Sequence, residues 1–196
     1  MKTWLVPLGI IALLAFGIFK WGVGINNTII EKEGKALAQW ANVESSYQRR
    51  ADLIPNLVNT VKGYADHEKE TLEGVIKARA EATQTKIDAG NLTPEKIAAF
   101  QKAQSGRSGA LSKLMVVVER YPDLKADQHF KEMMSQLEGT ENRINIERNK
   151  YNDMVGEYNI YIQQFPTSFI ANFINKKPLA LFKAAQGSEI APSVKF

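Results

Sequence analysis

The chain has 196 residues, a formal net charge of +4, two histidines and no cysteine. This length suits one domain with an appendage and a sizeable core. Without cysteine, disulfides, thiolate zinc sites and a cysteine nucleophile are excluded. The long middle of the chain is nearly neutral and has no basic stripe, so we expect no nucleic-acid partner.

Residues 1–25 form an apolar leader that contains no acidic residue. At ~1.5 Å rise per residue, a helix from Trp4 to Ile25 covers the ~30 Å hydrocarbon core of a bilayer. Trp4 and Trp21 stand near its two ends, where indole rings favour the interface, and Lys20 can extend its ammonium group towards water. The sequence therefore predicts a transmembrane anchor over residues 1–25.

A cleaved signal peptide is the alternative, with Lys2 as its basic start and residues 22–24 as a small-residue cleavage site. The apolar stretch is longer than such peptides usually have, which favours the anchor. Lys20, Lys32 and Lys35 on the far side outnumber Lys2 on the near side. This difference slightly favours a cytoplasmic C-terminal domain.

Residues 26–164 are predicted to form an elongated antiparallel bundle of three to four long helices. Between residues 40 and 79, apolar side chains recur every three or four positions and form one stripe. Because proline lacks a backbone donor, we expect Pro55 to kink the helix or restart it with Asp52 as the cap. Beyond Pro55 the helix is predicted to continue to about Asp88.

Two further helices follow in this prediction. The first begins with Thr93 as N-cap and Pro94 at the first helical position, and it ends near Arg120. Residues 121–123 form a turn, and the last helix covers residues 127–164. Glycines within the predicted helices suggest close helix approach, although exposed positions would also tolerate them. These glycines are Gly63, Gly74, Gly106, Gly109, Gly139 and Gly156.

Residues 49–58, Arg-Arg-Ala-Asp-Leu-Ile-Pro-Asn-Leu-Val, and residues 61–65, Val-Lys-Gly-Tyr-Ala, resemble the signature of the LemA family. Residues 121–126, 141–152 and 158–166 are similar to the family as well, so the resemblance covers nearly the whole chain. It implies a single-pass bacterial membrane protein with an antiparallel helical bundle. It implies no enzymatic activity and no cofactor. The chain departs from many relatives in its apolar, lysine-bearing tail, where they look more acidic.

The histidines offer no evident catalytic or metal site. His67 lies in Asp66-His67-Glu68 on a predicted helix, where neighbouring residues point ~100° apart and cannot converge on one ion or substrate. We interpret His67 as a surface or interface residue. Gly106 and Gly109 lack the lysine and hydroxyl residue of a phosphate loop. We therefore expect no catalytic residue, no metal and no cofactor.

Charged residues are expected to face one another across an antiparallel helix pair. We favour ion pairing that fixes helix register, with Arg50 opposite Glu147, over a pocket for a partner or ligand. The predicted cluster consists of Arg49, Arg50, Asp52, Glu141, Glu147 and Arg148.

A second pattern is Tyr-Asn at residues 151–152, repeated seven positions later at 158–159. We interpret it as core packing in which the tyrosine hydroxyls bond polar neighbours, and not as a binding box.

Residues 165–196 form an aromatic, lysine-bearing tail with a short amphipathic segment. Five of the nine phenylalanines lie here. Such a segment suits the surface of an anionic bilayer or a contact between subunits, although Phe169, Ile170 and Phe173 could equally cap the bundle end. The candidate contact residues are Phe165, Phe169, Phe173, Lys176, Lys177 and Phe182.

Taken together, the sequence predicts an all-α, non-enzymatic protein of the bacterial cell envelope, anchored in the lipid bilayer. We expect a scaffold or adaptor that self-associates or binds an unidentified membrane protein. The alternative is a sensor or binding module that holds a small ligand or a partner segment in the bundle seam.

Overall fold

The computed structural model describes residues 4–64, 68–84 and 92–183, and these ranges contain helices and no strand. The all-α class predicted from the sequence is confirmed. The helices are α1 (Leu5–Tyr64), α2 (Lys69–Gln84), α3 (Pro94–Val118), α4 (Pro122–Ala126), α5 (Gln128–Gln163) and α6 (Thr167–Phe173).

Helix α1 is continuous over 60 residues and contains Pro55. The predicted break at this proline is wrong, and Asp52 is no cap: it lies inside the helix and accepts a hydrogen bond from Gln48 at 2.8 Å. Residues on both sides of the proline are buried in one core cluster, which holds the helix together across it. The chain reverses later, since α1 ends at Tyr64 and α2 begins at Lys69.

Helices α1 and α5 pair in opposite directions. Ile29 near the start of the packed part of α1 lies in the same cluster as Ile162 near the end of α5. At the other end, Val61 of α1 clusters with Phe130 in the first turn of α5. Helix α2 packs back along α1, and α3 packs on α2 while contributing to the same cores.

Trp40 occupies the centre of the middle core and is fully buried. Its ring centroid lies 5.3 Å from that of Phe100 in α3, 5.5 Å from Tyr151 in α5 and 5.6 Å from Phe182 in the tail. One indole therefore joins α1, α3, α5 and the residues after α6 through favourable aromatic pairs.

The helix starts depend on local capping. The Thr93 side chain accepts from the Lys96 amide and Pro94 stands at the first helical position, as predicted. Asp127 caps α5 by accepting from the Phe130 amide at 2.8 Å. Where a turn was predicted at residues 121–123, the short helix α4 begins at Pro122, and burial of Leu124 holds it in place.

The glycine interpretation is wrong within the chain. At each of the six predicted positions, an added Cβ atom would meet nothing within 4 Å, so no neighbouring helix approaches there. Gly22 differs, because an added Cβ atom would lie 3.7 Å from Cδ1 of Ile170 in α6. This contact places α6 beside the end of the predicted anchor.

Candidate functional site

The polar cluster predicted between α1 and α5 centres on Arg50, which is buried. Its Nη1 atom donates to Oε2 of Glu141 in α5 at 2.8 Å, and its Nη2 atom donates to Oγ of Ser108 in α3 at 2.6 Å. One guanidinium group therefore joins three helices through its planar fork.

Glu147 does not pair with Arg50, so that predicted pairing is wrong. Its Oε2 atom accepts from Nε2 of Gln39 at 2.6 Å, and its Oε1 atom lies 2.7 Å from Nε of Arg143. The Gln39 hydrogen bond, assisted by Lys150 and Arg143, holds the pKa of Glu147 below its ordinary value although burial opposes this. Glu147 lies one turn of α5 from Arg143 and pairs with it. The spacing of charges in the sequence does not show which carboxylate of α5 faces Arg50, because that depends on the register between α1 and α5.

The remaining three members of the predicted cluster are Arg49, Asp52 and Arg148. Arg49 and Asp52 are exposed on α1. Arg148 places its guanidinium carbon 4.7 Å from the ring centroid of Phe182, and its Nη2 atom donates to the Lys183 carbonyl at 3.3 Å. Arg148 therefore holds the tail and does not contact the α1 charges of the predicted cluster.

A second buried guanidinium group, Arg107 of α3, was missed by sequence reasoning. It donates to the Tyr47 carbonyl at 3.3 Å, and its Nε atom has no partner among the described residues. Burial, together with the charges of Arg50 and Arg79, lowers the pKa of Arg107 from 12.5 to about 10. The signal was available, because residue 107 is in phase with the inward-facing Phe100 and Leu114.

A cavity of about 750 Å³ lies in the seam between α3 and α5, with α1 behind it. We call it the seam cavity. Its charged lining comprises three basic side chains and one carboxylate, which gives it net positive character. Its lining includes Tyr47, Arg50, Lys102, Ser108, Glu141 and Arg148.

The repeated Tyr-Asn pairs of α5 bind the main chain of the tail. Asn152 accepts from the Phe182 amide at 2.9 Å and donates to its carbonyl at 3.0 Å. Asn159 bonds Leu179 in the same two ways, at 2.8 and 2.9 Å. The hydroxyl of Tyr151 donates to the Ala180 carbonyl and that of Tyr158 to the Lys177 carbonyl. We call these four side chains the tail ladder.

The spacing of the tail ladder along α5 equals the spacing of its bonded residues along the extended tail. Seven helical residues rise ~10 Å, and three extended residues span a similar ~10 Å. Residues 152 and 159 accordingly bond residues 182 and 179, with the tail running opposite to α5. The predicted polar partners of the tyrosine hydroxyls are thus carbonyl groups of the tail itself, and burial raises the pKa of Tyr158 to about 12.

The candidate contact residues of the tail separate into two groups. Phe182 is only 5% exposed, so its prediction as a membrane or oligomer contact is wrong. Phe165, Phe169 and Phe173 are 80%, 71% and 90% exposed, which contradicts the alternative that Phe169 and Phe173 cap the bundle. We call these three the phenylalanine patch. Lys176 pairs with Glu33, and Lys177 is exposed.

The first part of α1 extends beyond its packed region. Within the described residues, this helix has one stretch that is long and apolar enough to cross a membrane, and the side chains of that stretch are almost entirely exposed. Trp4 is 81% exposed and Trp21 51% exposed, and Lys20 is also exposed. Of the histidines, His129 is exposed on α5, whereas His67 lies outside the described residues.

The fold and this exposed apolar helix define a class: an all-helical protein with one candidate transmembrane helix at its N-terminus. A model described as the LemA family matches residues 39–196. The chain belongs to the LemA family, and the resemblance seen in the sequence is confirmed.

Curated relatives agree with this assignment. The chain is 29% identical to magnetosome protein MamQ of Magnetospirillum gryphiswaldense over 80% of its length, and 28% identical to magnetosome protein MamQ 1 of Paramagnetospirillum magneticum over 84%. It spans only 64% and 65% of those two relatives. It is also 25% identical to protein LemA of Metamycoplasma hominis, covering 89% of this chain and 76% of that one. Family and span together indicate a membrane-associated helical protein.

Proposed function

We propose that this chain is a non-enzymatic scaffold or adaptor anchored in the bacterial inner membrane, where it self-associates or binds a membrane protein. The observation that carries the proposal is the continuity of α1, which includes both the candidate span and the main core residues in one helix. An anchor joined to its bundle by unbroken helix holds the bundle at the bilayer in a defined orientation. This is what a scaffold requires.

The anchor is supported by the physical chemistry of its side chains. Large apolar residues between Leu8 and Phe19 are more than half exposed, which is unfavourable in water and favourable in lipid. Trp4 and Trp21 mark the two expected interfaces. Lys20 lies one residue before Trp21 and can reach the same interface by extending its side chain.

The non-enzymatic character of the proposal rests on the side chains available. Two histidines and no cysteine leave few candidates for a nucleophile and its base. Among residues 4–64, 68–84 and 92–183, no three histidine or acidic side chains group as metal ligands would. In the described parts of the chain, the buried Arg50 and Glu147 bond side chains of neighbouring helices.

The seam cavity favours a second candidate function, a sensor that binds a small anionic ligand. Arg50, Lys102 and Arg148 face this space against the single carboxylate of Glu141. A ligand bound there would contact α3 and α5 together and could change their spacing. Ligand binding would raise the melting temperature of such a sensor, and the increase would grow with the ratio of ligand concentration to Kd.

Two differently tagged copies of the full chain, co-expressed and purified in mild detergent, test these proposals. A scaffold that self-associates should give one defined mass above that of a single copy, and each tag should capture the other. Adding phosphate or a dicarboxylate should leave both results unchanged. A single-copy mass without mutual capture, together with a melting temperature raised by these anions, would favour the sensor and contradict self-association.

A further inference from the structure

The phenylalanine patch is the most exposed aromatic group at the membrane-facing end of the bundle. Phe165 and Phe169 stack edge to face with centroids 6.0 Å apart, so the patch presents a joined surface. By contrast, Phe100, Phe130 and Phe182 in the bundle are each 5% exposed or less. An apolar surface of this kind, on and just before a helix whose other side is buried, indicates a contact with something outside the chain.

The opposite side of α6 fixes the position of this patch. Ala171 is buried in the cluster formed by Ile25 and Ile29 of α1 with Tyr158 and Ile162 of α5. Helix α6 therefore rests on the bundle where α1 leaves it.

The rotation of α6 turns the patch away from the bundle, past the side of α6 that lies nearest the anchor. From the buried side at Ala171, a turn of ~100° about the helix axis reaches Ile170, whose Cδ1 atom would lie 3.7 Å from a Cβ atom added at Gly22. Gly22 precedes Ile25 on α1 and follows Trp21, so this turn moves from the bundle towards the predicted bilayer. Phe173 and Phe169 lie further round in the same direction.

The end of α6 keeps the patch at the surface of the bundle end. Asn175 adopts a left-handed conformation with φ of 56°, and the Lys176 amide donates to the Ala171 carbonyl at 2.8 Å, which closes the helix. Lys176 is held by Glu33 of α1. The chain then runs back along α5 on the tail ladder, so α6 is a reversal at the anchor side of the bundle.

We propose that α6 is a second membrane contact, in which Phe165, Phe169 and Phe173 enter the boundary between headgroups and acyl chains in the leaflet that α1 leaves. The occupant of the patch is lipid, because α6 packs through Ile170 beside Ile25 of α1, where the exposed apolar surface of the anchor ends. Lys20, two residues before Gly22 on α1, and Lys177, four residues after Phe173, are both exposed, and their charge suits anionic headgroups. This inference rests on the anchor in the proposed function.

Single-cysteine variants of the full chain allow a direct test, because the chain has no native cysteine. Phe169→Cys and Phe173→Cys would each carry a nitroxide label in vesicles of phosphatidylethanolamine and phosphatidylglycerol. Leu13→Cys reports the anchor. Val116→Cys is the matched aqueous control: it is 70% exposed and lies at the far end of α3, about 50 Å along the bundle from Gly22.

The measurement is the collision of each label with oxygen, which concentrates in lipid, relative to a water-soluble nickel chelate. We expect the ratio at residues 169 and 173 to exceed that at residue 116 several-fold and to approach the ratio at residue 13. Equal ratios at residues 169, 173 and 116 would overturn the inference. Dipolar broadening between labels at residue 173 in place of lipid exposure would also overturn it, since a second copy would then cover the patch.

The anchor label separates this inference from the proposed function. A high ratio at residue 13 with low ratios at residues 169 and 173 leaves the anchor intact and rejects only the α6 contact. A low ratio at residue 13 rejects membrane anchoring itself, and the α6 contact with it. The labelled variants are also melted in detergent. Curves that match that of the wild type confirm that each label reports a folded bundle.

Discussion

Arg50 and Arg107 are both buried arginines, but their surroundings differ. Arg50 bonds a carboxylate and a hydroxyl group, whereas Arg107 bonds one carbonyl and leaves its Nε atom without a partner in the described parts of the chain. A buried charge is stabilising only when its partners offset the cost of leaving water. The two residues should therefore respond in opposite ways to the same substitution.

We expect Arg50→Met to lower the free energy of unfolding by about 1 to 3 kcal/mol, because it removes charge-assisted hydrogen bonds that join three helices. Arg107→Met should change it little or raise it, since methionine fills similar space without a charge. The folded-state pKa of Arg107, about 10, lies below the ordinary value for arginine. Its unfavourable charge is therefore present at neutral pH, and the destabilisation is lost as the pH rises through about 10. Urea unfolding of both variants in detergent is the measurement, and equal losses would contradict this distinction.

Glu147 gives a second expectation at the scale of single residues. Its folded-state pKa is below the ordinary 4.5, so it stabilises the fold above that pH and loses this contribution as the pH falls through the lowered value. Glu147→Gln keeps the shape and can still accept from Gln39. The variant should lose less stability than the wild type between pH 7 and about pH 3. Thermal melts measure this difference. If the melting temperatures of the variant and the wild type fell equally with pH, the acid sensitivity would belong to other carboxylates.

At the scale of helices, Pro55 and Arg79 form one structural unit. In a regular helix the amide of residue 55 would bond the Ala51 carbonyl, but proline has no such donor. Nε of Arg79 in α2 donates to this carbonyl at 2.9 Å instead. A side chain from a neighbouring helix thus satisfies a buried group that the proline leaves free.

This arrangement predicts energetic coupling between the two positions. Arg79→Met should lower the free energy of unfolding by about 1 to 3 kcal/mol, because the Ala51 carbonyl is left buried and unpaired. In a Pro55→Ala background the same change should cost less, since the alanine amide restores the helical bond. A double-mutant cycle from urea unfolding measures the coupling. Additive effects would show that Arg79 does not serve this carbonyl.

The same pair shows why local rules predict the class of fold but not its breaks. The three-to-four spacing of apolar residues was sufficient for all-α structure, and Thr93-Pro94 for the start of α3. At Pro55 the missing helical bond is replaced by one from Arg79, which lies 28 residues from Ala51 along the chain and is not visible to local rules. Prediction of the tail is limited in the same way, because its composition gives no reason to expect different burial for Phe169 and Phe182. The tail ladder places Phe182 in the core beside Trp40, whereas Phe169 lies on the outer face of α6.

At the scale of the whole molecule, unbroken α1 should fix the tilt of the bundle relative to the bilayer. Asn27 lies in α1 between Ile25 and Ile29, the first buried residues after the anchor, and its own side chain is exposed. Asn27→Pro removes one helical bond and adds a clash, which costs about 3 kcal/mol in a helix interior and should bend or break α1 there. The bundle would then remain attached to the membrane but lose its fixed orientation.

Polarised infrared spectroscopy of oriented bilayers measures this orientation through the amide I dichroism. We expect high helical order for the wild type, the same order for Asn27→Ala, and clearly lower order for Asn27→Pro with unchanged membrane partitioning. Equal dichroism in all three would show that the span and the bundle are oriented independently. Contacts of α6 with the bilayer would then have to orient the bundle without help from α1.

The tail ladder grips only amide and carbonyl groups, which every residue except proline provides in the same form. Substitutions at exposed tail positions such as Leu181 should therefore be nearly neutral so long as the peptide path is kept, whereas the buried Phe182 should not tolerate them. Divergent C-terminal sequences among relatives would then accompany a shared course over α5. Tyrosine and asparagine at two positions one heptad apart would be the trait that persists.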